Sequence, residues 1–257
     1  MNTLTNEGNI NISNTTIDSN TDVGGLIGTA TANTILKGKL ENKGNITCYN
    51  VTVTSNQPAG IGGIVGLDYD LRETNTSKIS DLYTTTDVTS IVNSGNIKCI
   101  GGSYKHYLGV GGIYGLNKND AFVKNATNTG DVICASTAET GCYVGGLTTA
   151  AQAAPAVESS KSYGHVAAFI WDGTEAGALT VNSNAGMLTS AAADTASLKD
   201  CQVGGWLGTS AVVTKDDKGK LDVEVTYGTE LSGTNYLTYM YSTEATEANG
   251  CRYWNGQ

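Results

Sequence analysis

The side chains best suited to surface chemistry form the run Tyr104, Lys105, His106 and Tyr107. Tyrosine rings offer apolar faces with a polar tip, which suits stacking against sugar rings. A base beside them could also abstract the proton alpha to a uronate carboxylate, as a polysaccharide lyase requires. The run therefore predicts a binding site on an outward turn. A turn that simply exposes two tyrosines is the alternative.

Carboxylates gather in a second segment, residues 68–81. Asp68, Asp70 and Glu73 could share a calcium ion, because hard cations prefer carboxylate oxygens. A solvated loop is the alternative interpretation. The chain has only two histidines, which are far apart in sequence and form no H-E-x-x-H pattern. Calcium is therefore the one cofactor that the sequence suggests.

The six cysteines include five that follow the repeat pattern described below. Cys48, Cys99 and Cys134 share one position after an N-x-G motif, while Cys142 and Cys201 each lie two residues before a V-G-G valine. Strand alternation points all five inward, in two partial ladders, where cysteine acts as a small apolar side chain. A Cys99–Cys134 disulfide in an oxidising compartment is the alternative. No C-x-x-C pair predicts a zinc or redox motif.

Two short motifs recur and must position these side chains. The first, N-x-G-(N/D)-(I/V), begins at Asn6, Asn42, Asn93 and Asn128, with weaker copies from Ser162 and Thr226. The second, V-G-G-(I/L)-x-G, begins at Val23, Ile61, Val110, Val144 and Val203, with a degenerate copy from Ala185. Self-similarity at a few tens of residues indicates a repeat architecture in which each unit buries its apolar face against its neighbours.

Apolar residues alternate after each N-x-G motif, as in Ile46 and Cys48 or Ile97 and Cys99. Alternation is the period of a strand with one buried face. Equivalent short strands in successive repeats predict an all-β chain that forms a parallel β-solenoid of about six coils. A β-propeller is the rival, but each blade would need four strands, and two clear strands and one vague strand occur per repeat.

The repeat residues also have a structural interpretation. We expect Asn6, Asn42, Asn93 and Asn128 to stack at a corner, where their amides bond the backbone of adjacent turns. The glycines are expected to supply positive φ at the corners. Metal or sugar binding by the asparagine ladder is the alternative. Outward threonine rows for ice binding are not predicted, because T-V-T at 52–54 has no counterpart one coil on.

Spacing divides the chain into repeats and a C-terminal unit. Coils are predicted near residues 6–41, 42–92, 93–127, 128–161 and 162–211. The second coil carries the acidic insertion. Residues 212–257 are predicted to form the last rungs and a C-terminal β cap, with a hairpin around Gly219, because a solenoid needs its open end covered.

The paired motifs resemble the GLUG-type repeats of bacterial surface proteins and filamentous-haemagglutinin-like adhesins, over roughly residues 6–208. The resemblance implies a right-handed parallel β-helix on the cell surface. It brings no catalytic motif with it. It suggests a non-catalytic adhesin or structural surface protein whose partner is a host or bacterial glycan or surface protein.

Composition bounds the function. The net charge is −9, with 15 basic and 24 acidic residues, so no basic surface for nucleic acid is expected. No apolar run is long enough to span a membrane. Met1 is not followed by a secretion leader, and we expect the sequence to begin after a signal peptide and the protein to be extracellular. A carbohydrate-active enzyme with a groove along the β-helix remains the alternative function.

Overall fold

A computed structural model describes residues 3–31, 38–69, 88–117, 122–149, 156–175, 177–190, 197–228 and 250–253. These residues form short β-strands joined by tight turns, and no helix occurs among them. Because nearly all strand pairs are parallel, the strands must come from separate passes of the chain rather than from hairpins.

The first sheet has seven parallel strands, and each of its N-x-G asparagines ends a strand. Its spatial order is the order of the chain. Its strands are β1 (Thr3–Asn6), β5 (Gly38–Asn42), β9 (Val88–Asn93), β14 (Ala126–Asn128), β18 (Lys161–Ser162), β23 (Gln202–Val203) and β26 (Arg252–Tyr253).

The second and third sheets hold the strands that follow each N-x-G and the V-G-G segments. Both again follow chain order. The second sheet contains β2 (Ile10–Ile17), β6 (Ile46–Val53), β10 (Ile97–Tyr104), β15 (Val132–Ala138), β19 (Val166–Ile170) and the antiparallel edge strand β20 (Thr180–Val181). The third contains β3 (Asp22–Gly24), β7 (Ala59–Gly62), β11 (Leu108–Gly111), β16 (Cys142–Gly145) and β21 (Ala185–Gly186).

Two smaller parallel sheets and one hairpin complete the structure. The fourth sheet contains β4 (Ile27–Thr31), β8 (Val65–Tyr69) and β12 (Tyr114–Asn117). The fifth contains β13 (Phe122–Lys124), β17 (Ala156–Glu158) and β22 (Ser197–Lys199). The hairpin joins β24 (Gly208–Lys215) to β25 (Leu221–Tyr227). The prediction of an all-β chain with mostly parallel sheets is confirmed.

Register explains why the repeats share residue types. Ile10 pairs with Ile46, Ile46 with Ile97, and Ile97 with Val132, so like residues lie beside like. From Ile46 onward these inward side chains are fully buried. A fully buried isoleucine contributes about 1.5–3 kcal/mol relative to an exposed one. Stacking of equivalent apolar residues therefore builds one core through successive repeats.

The N-x-G asparagines form a continuous ladder inside this core. Asn93 donates one Nδ2 hydrogen bond to Asn128 Oδ1 at 2.7 Å and another to Gly95 O at 2.8 Å. Asn6 and Asn42 repeat both bonds in their own repeats. The backbone bond thus stays within one repeat, whereas the bond between repeats joins two side chains. The expectation that the amides bond the backbone of adjacent turns is corrected on this point.

A second ladder, not anticipated from the sequence, uses the residue after the glycine. The side-chain Oδ1 of Asn45 accepts from Asn96 N at 2.8 Å, and that of Asn96 accepts from Asp131 N at 2.9 Å. Asn9 and Asp131 extend the row in either direction. These side chains are exposed or half-buried. The fourth motif position is therefore an acceptor for the backbone of the next repeat.

The repeat glycines are required because neighbouring backbone and side-chain atoms lie too close for a Cβ, and not because their backbone has positive φ. None of the N-x-G or V-G-G glycines has positive φ, which corrects the expectation stated above. A Cβ on Gly112 would lie 2.0 Å from Gly146 O and 2.5 Å from Asn128 Cγ. A Cβ on Gly95 would lie 2.0 Å from Gly44 O. The two motifs therefore belong together, because the V-G-G backbone packs directly on the asparagine ladder.

Two repeat boundaries differ from those predicted. Val203 pairs with Ser162 in the first sheet, and a Cβ on Gly205 would meet Gly164 O. V-G-G at 203–205 is therefore the N-x-G equivalent of its repeat, and the coil predicted at 162–211 ends near residue 202. The copy from Thr226 is also wrong, because Tyr227 lies in the antiparallel hairpin.

The hairpin was predicted correctly around Gly219, whose φ is +80°, but its position differs from that of a terminal cap. It starts at Gly208 and lies against the outer face of the second sheet. There Val223 joins a second apolar cluster with Ile100, Phe169 and Trp171. Lys98 pairs with Asp222, and the Lys220 amine lies 4.6 Å from the Tyr49 ring centroid. The hairpin thus covers a flank across several repeats.

The asparagine ladder makes a stability prediction. Asn93→Ala removes both hydrogen bonds that the Asn93 side chain donates and leaves the buried Gly95 carbonyl unpaired. We therefore expect the free energy of unfolding to fall by on the order of 3 kcal/mol. Asn96→Ala, in the same repeat but on the exposed ladder, should cost about 1 kcal/mol or less. Urea unfolding followed by circular dichroism measures both. Equal losses for the two variants would contradict a special contribution from the buried ladder.

The glycine contacts make a second prediction. Gly112→Ala inserts a methyl group against a carbonyl and an amide that cannot both move, so a loss of more than about 3 kcal/mol is expected. Gly177→Ala is the matched control, since its added Cβ meets nothing within 4 Å, and it should stay within about 0.5 kcal/mol of the parent. The same unfolding measurement applies. A Gly112 variant as stable as the control would contradict this explanation of the motif.

Candidate functional site

An open groove of about 270 Å³ crosses three consecutive repeats where β6, β10 and β15 end. Because these strands lie side by side in register, each contributes equivalent positions to the groove. We call it the hydroxyl groove. Its lining residues are Thr52, Val53, Thr54, Ser103, Tyr104, Lys105, Thr137, Ala138 and Glu139.

A row of hydroxyl side chains runs through this groove. Thr52 pairs with Ser103, and Ser103 pairs with Thr137, so the three side chains lie about 4.8 Å apart along the row. Thr16 extends the row by one repeat beyond the groove. Thr137 Oγ1 donates to Gly102 O at 3.1 Å, whereas Ser103 is exposed. The T-V-T triplet itself does not recur, as expected, but a hydroxyl side chain does recur at the position of Thr52.

A local reversal of alternation places the hydroxyls outside. Asn14, Asn50 and Gly101 have positive φ of 49°, 50° and 66°, and they lie in the middle of their strands. After this point the parity of inward and outward side chains changes, so that Val51 and Val53 are buried with Thr52 between them. Simple alternation counted from N-x-G misses this change. Asparagine and glycine at equivalent positions were the available signal, since both tolerate positive φ.

The prediction that Tyr104 contacts a ligand is wrong. It pairs with Val53 at an inward position and is only 2% exposed. Its hydroxyl lies 3.3 Å from Cys99 Sγ. Burial is the main cause that raises the pKa of Tyr104 well above its usual value, and the nearby cysteines raise it further. The parity change at Gly101 accounts for this placement. Tyr104 closes the core beneath the groove and cannot stack on a ligand.

Lys105 lies at the edge of the groove, as an exposed side chain. Its backbone N donates to Val53 O at 2.9 Å, and Glu139 N in the next repeat donates to Tyr104 O at 2.9 Å. These bonds fix the two charged residues at equivalent positions beside the hydroxyl row. Within the described part of the chain Lys105 has no ion-pair partner within 4 Å, so its amine is available to a ligand.

His106 and Tyr107 belong to a separate half-buried cluster. Their ring centroids are 4.6 Å apart in an edge-to-face arrangement, and Tyr107 lies 5.8 Å from Tyr143 of the next repeat. Partial burial raises the pKa of Tyr143. The predicted four-residue site is thus divided among the core, the groove and this aromatic cluster. Tyr143, which the sequence did not single out, joins two repeats there.

The predicted calcium residues lie mostly outside the described structure. Asp70 and Glu73 are not among the described residues, and for Asp68 only the backbone is described, paired with Ala30 and Asn117. Over the described ranges no group of three or more histidine, cysteine or acidic side chains is arranged to hold a metal ion. Calcium binding therefore stays a prediction.

Two further lysines and the second histidine have structural partners. Lys98 pairs with Asp222, and Lys124 with Glu158 at 3.3 Å. His165 accepts a hydrogen bond at Nδ1 from Trp206 N at 3.1 Å, and its ring stacks on Tyr227 at 4.4 Å. These contacts join the second sheet to the hairpin and to the neighbouring repeats.

All six cysteines are buried, and none is bonded to another in the structure. Cys48, Cys99 and Cys134 pair in register within the second sheet. Burial raises the pKa of Cys48 well above its usual value, so this thiol is protonated at neutral pH. The second predicted ladder is wrong: Cys142 begins β16 in the third sheet, whereas Cys201 precedes β23 of the first. Cys251 belongs beside Cys201, since the next residues pair in β23 and β26.

Among the described residues, no helix is long and apolar enough to cross a bilayer. Comparisons of the chain with protein-family models, with curated proteins and with solved structures found no match.

Proposed function

We propose that the chain is a right-handed parallel β-helix that serves as a non-catalytic protein of a bacterial cell surface and binds a glycan in the hydroxyl groove. The observation that carries this proposal is the row of Thr52, Ser103 and Thr137 across three repeats, with Lys105 and Glu139 beside it.

The sheet order supports the β-helix. Three different sheets take strands from successive repeats in the order of the chain, and every pairing in them is parallel except that of β20. A chain that visits the same sheets in turn and advances by one strand each time describes a helical path. The hand is proposed from the resemblance to GLUG-type repeats and from the general preference of parallel crossovers for the right hand.

The chemistry of the groove favours a glycan. Sugars present many hydroxyl groups, and threonine and serine hydroxyls both donate and accept hydrogen bonds. The repeat spacing of about 4.8 Å is close to the length of one sugar ring, so a linear glycan could meet equivalent hydroxyls in successive repeats. Lys105 adds a donor for a sugar carboxylate or hydroxyl, and Glu139 adds an acceptor. A volume of about 270 Å³ suits a short stretch of such a chain.

A cell-surface location is proposed from composition and motif. Only 15% of the residues are charged, and the repeat motifs that resemble GLUG-type repeats are built from Asn, Gly and apolar residues. The side chains that these motifs conserve between repeats are used in stacking, through the asparagine ladder and the glycine contacts. A rigid scaffold that presents a lateral groove suits adhesion or surface structure.

The alternative is a carbohydrate-active enzyme, for which Lys105 and Glu139 would be the base and acid. Both are exposed at the groove edge, and a lysine and a carboxylate side chain can each transfer a proton. We favour binding, because the groove offers the hydroxyl row as its main feature. A glycan that binds should therefore be recovered with its length unchanged, as size-exclusion chromatography of the eluted ligand can check.

Glycan binding is tested on an array of host and bacterial glycans, followed by calorimetry on any ligand found. Ser103→Ala and Lys105→Ala should each weaken binding about 5- to 20-fold, the loss of one hydrogen bond to a neutral or charged group. Thr16→Val is the matched control, since it belongs to the same row but lies outside the groove, and its affinity should equal that of the parent.

Two results would contradict the proposal. One is a ligand whose affinity is indifferent to both groove variants, and the other is a complete lack of retained glycans. Repeating the array with a calcium chelator separates the groove from the acidic segment at 68–81. Chelation should leave groove binding intact, because the groove contains one carboxylate only.

A further inference from the structure

Two buried thiols face each other across one corner of the fold. Cys134 lies in β15 of the second sheet, and Cys142 is the first residue of β16 in the third sheet. Their Sγ atoms are 3.1 Å apart. Cys134 is fully buried and Cys142 is 5% exposed. No step of the proposed glycan binding uses this pair.

The corner between them is short and firmly held. Gly141 N donates to Ala138 O at 3.2 Å, and Gly141 has a φ of +121° that favours glycine. Glu139 N donates to Tyr104 O in the preceding repeat. Cys134, in the first half of β15, and Cys142, the first residue of β16, both point into the core. The backbone bonds of the corner hold the two strands that carry these sulfur atoms.

The ladder neighbour of Cys134 is less suited to bond with it. Cys99 and Cys134 pair in register on parallel strands, so their Cβ atoms lie about 4.8 Å apart. Disulfides prefer Cβ separations of about 3.5–4.5 Å. Cys99 Sγ interacts with the Cys134 thiol, but it also contacts the Tyr104 hydroxyl at 3.3 Å and the Ser136 hydroxyl at 3.5 Å. The pair across the corner is favoured over the pair along the ladder.

The arrangement is specific to one repeat. The residues that pair in succession with Cys142 in the third sheet are Leu108 and then Ala59. Cys48 and Cys99 in those repeats therefore have an apolar side chain where Cys134 has a thiol. Cys142 thus adds a feature that filling the core does not require.

We propose that Cys134 and Cys142 form a disulfide when the protein folds in an oxidising thiol–disulfide couple. With glutathione disulfide as oxidant, one cysteine thiolate attacks it and forms a mixed disulfide, which releases one glutathione. The other cysteine then attacks the protein sulfur of that mixed disulfide and releases the second glutathione. Both protein thiol protons are lost, and the two electrons reduce glutathione disulfide to two glutathione thiols. The bond would link the second and third sheets at the groove edge that carries Glu139.

Oxidation should be carried out during refolding. The contact with Cys142, together with burial, holds the pKa of Cys134 well above its usual value, and thiolate is the reactive form. Reaction in the folded protein at neutral pH is therefore expected to be slow. Refolding from urea with reduced and oxidised glutathione gives both thiols access to the couple before the core closes.

Peptide mapping tests the proposal directly. After alkylation of the remaining thiols, trypsin cleavage at Lys98, Lys105, Lys124 and Lys161 releases peptides 99–105 and 125–161. Peptide 125–161 contains Cys134 and Cys142 and no other cysteine. We expect it to be two hydrogens lighter than its reduced form and free of alkyl groups, while peptide 99–105 is alkylated.

Two mapping results would overturn the proposal: a crosslink between peptides 99–105 and 125–161, or peptide 125–161 carrying two alkyl groups after oxidation. The wild-type chain suffices for this test, so it does not depend on a variant that folds. Cys142→Ser should leave one alkyl group on peptide 125–161, and Cys99→Ser should leave the internal bond intact.

The bond should also stabilise the protein. Closing this short loop is expected to raise the thermal midpoint by on the order of 5 °C, reversibly with dithiothreitol. Cys142→Ser should show no such dependence on reductant. A crosslinked protein with an unchanged or lowered midpoint would contradict the inference that the two thiols already stand in bonding geometry.

Discussion

The structure depends on the contact between a buried asparagine amide and a glycine backbone in every central repeat. Asn42 and Asn93 each bridge their own repeat and the next, and the space beside them is filled by a V-G-G glycine that has no room for a Cβ. Neither motif works alone. A side-chain amide in an apolar core must have its hydrogen bonds satisfied. The backbone that packs on this amide comes so close that only glycine fits at the V-G-G position. This is why N-x-G and V-G-G recur together while the links between them vary in length.

The second sheet has two outer surfaces, and three of its strands, β2, β6 and β10, change parity where these surfaces meet. The hairpin covers the first surface, which includes Ile100, Ala135 and Phe169. On the second surface, the outward positions are Thr52, Ser103 and Thr137, which stay open. One backbone feature thus separates an apolar face that needs a cover from a polar face that can accept a ligand. In β6 and β10 the groove begins just after Asn50 and Gly101.

Much of this could be predicted from the sequence, because local patterns and register agree. Alternation after N-x-G correctly placed Ile46 and Cys48 inside, and the repeats predicted parallel pairing of equivalent strands. The errors have physical causes. Val203 carries the letters of one motif but occupies the place of the other, and only pairing with Ser162 reveals this. Tyr104 was expected outside because a parity change is invisible to counting. The hairpin was predicted from turn residues, but its docking site depends on a surface that several distant repeats build together.

The asparagines act as one connected ladder, and a double-mutant cycle measures that connection. Asn42→Ala and Asn93→Ala, made singly and together, should show a coupling free energy of about 1 kcal/mol, because the two amides share a hydrogen bond of 2.7 Å. Asn42→Ala combined with Asn128→Ala, which are not bonded to each other, should give a coupling near zero. Additive losses for the neighbouring pair would contradict the account, since each asparagine would then act only within its own turn.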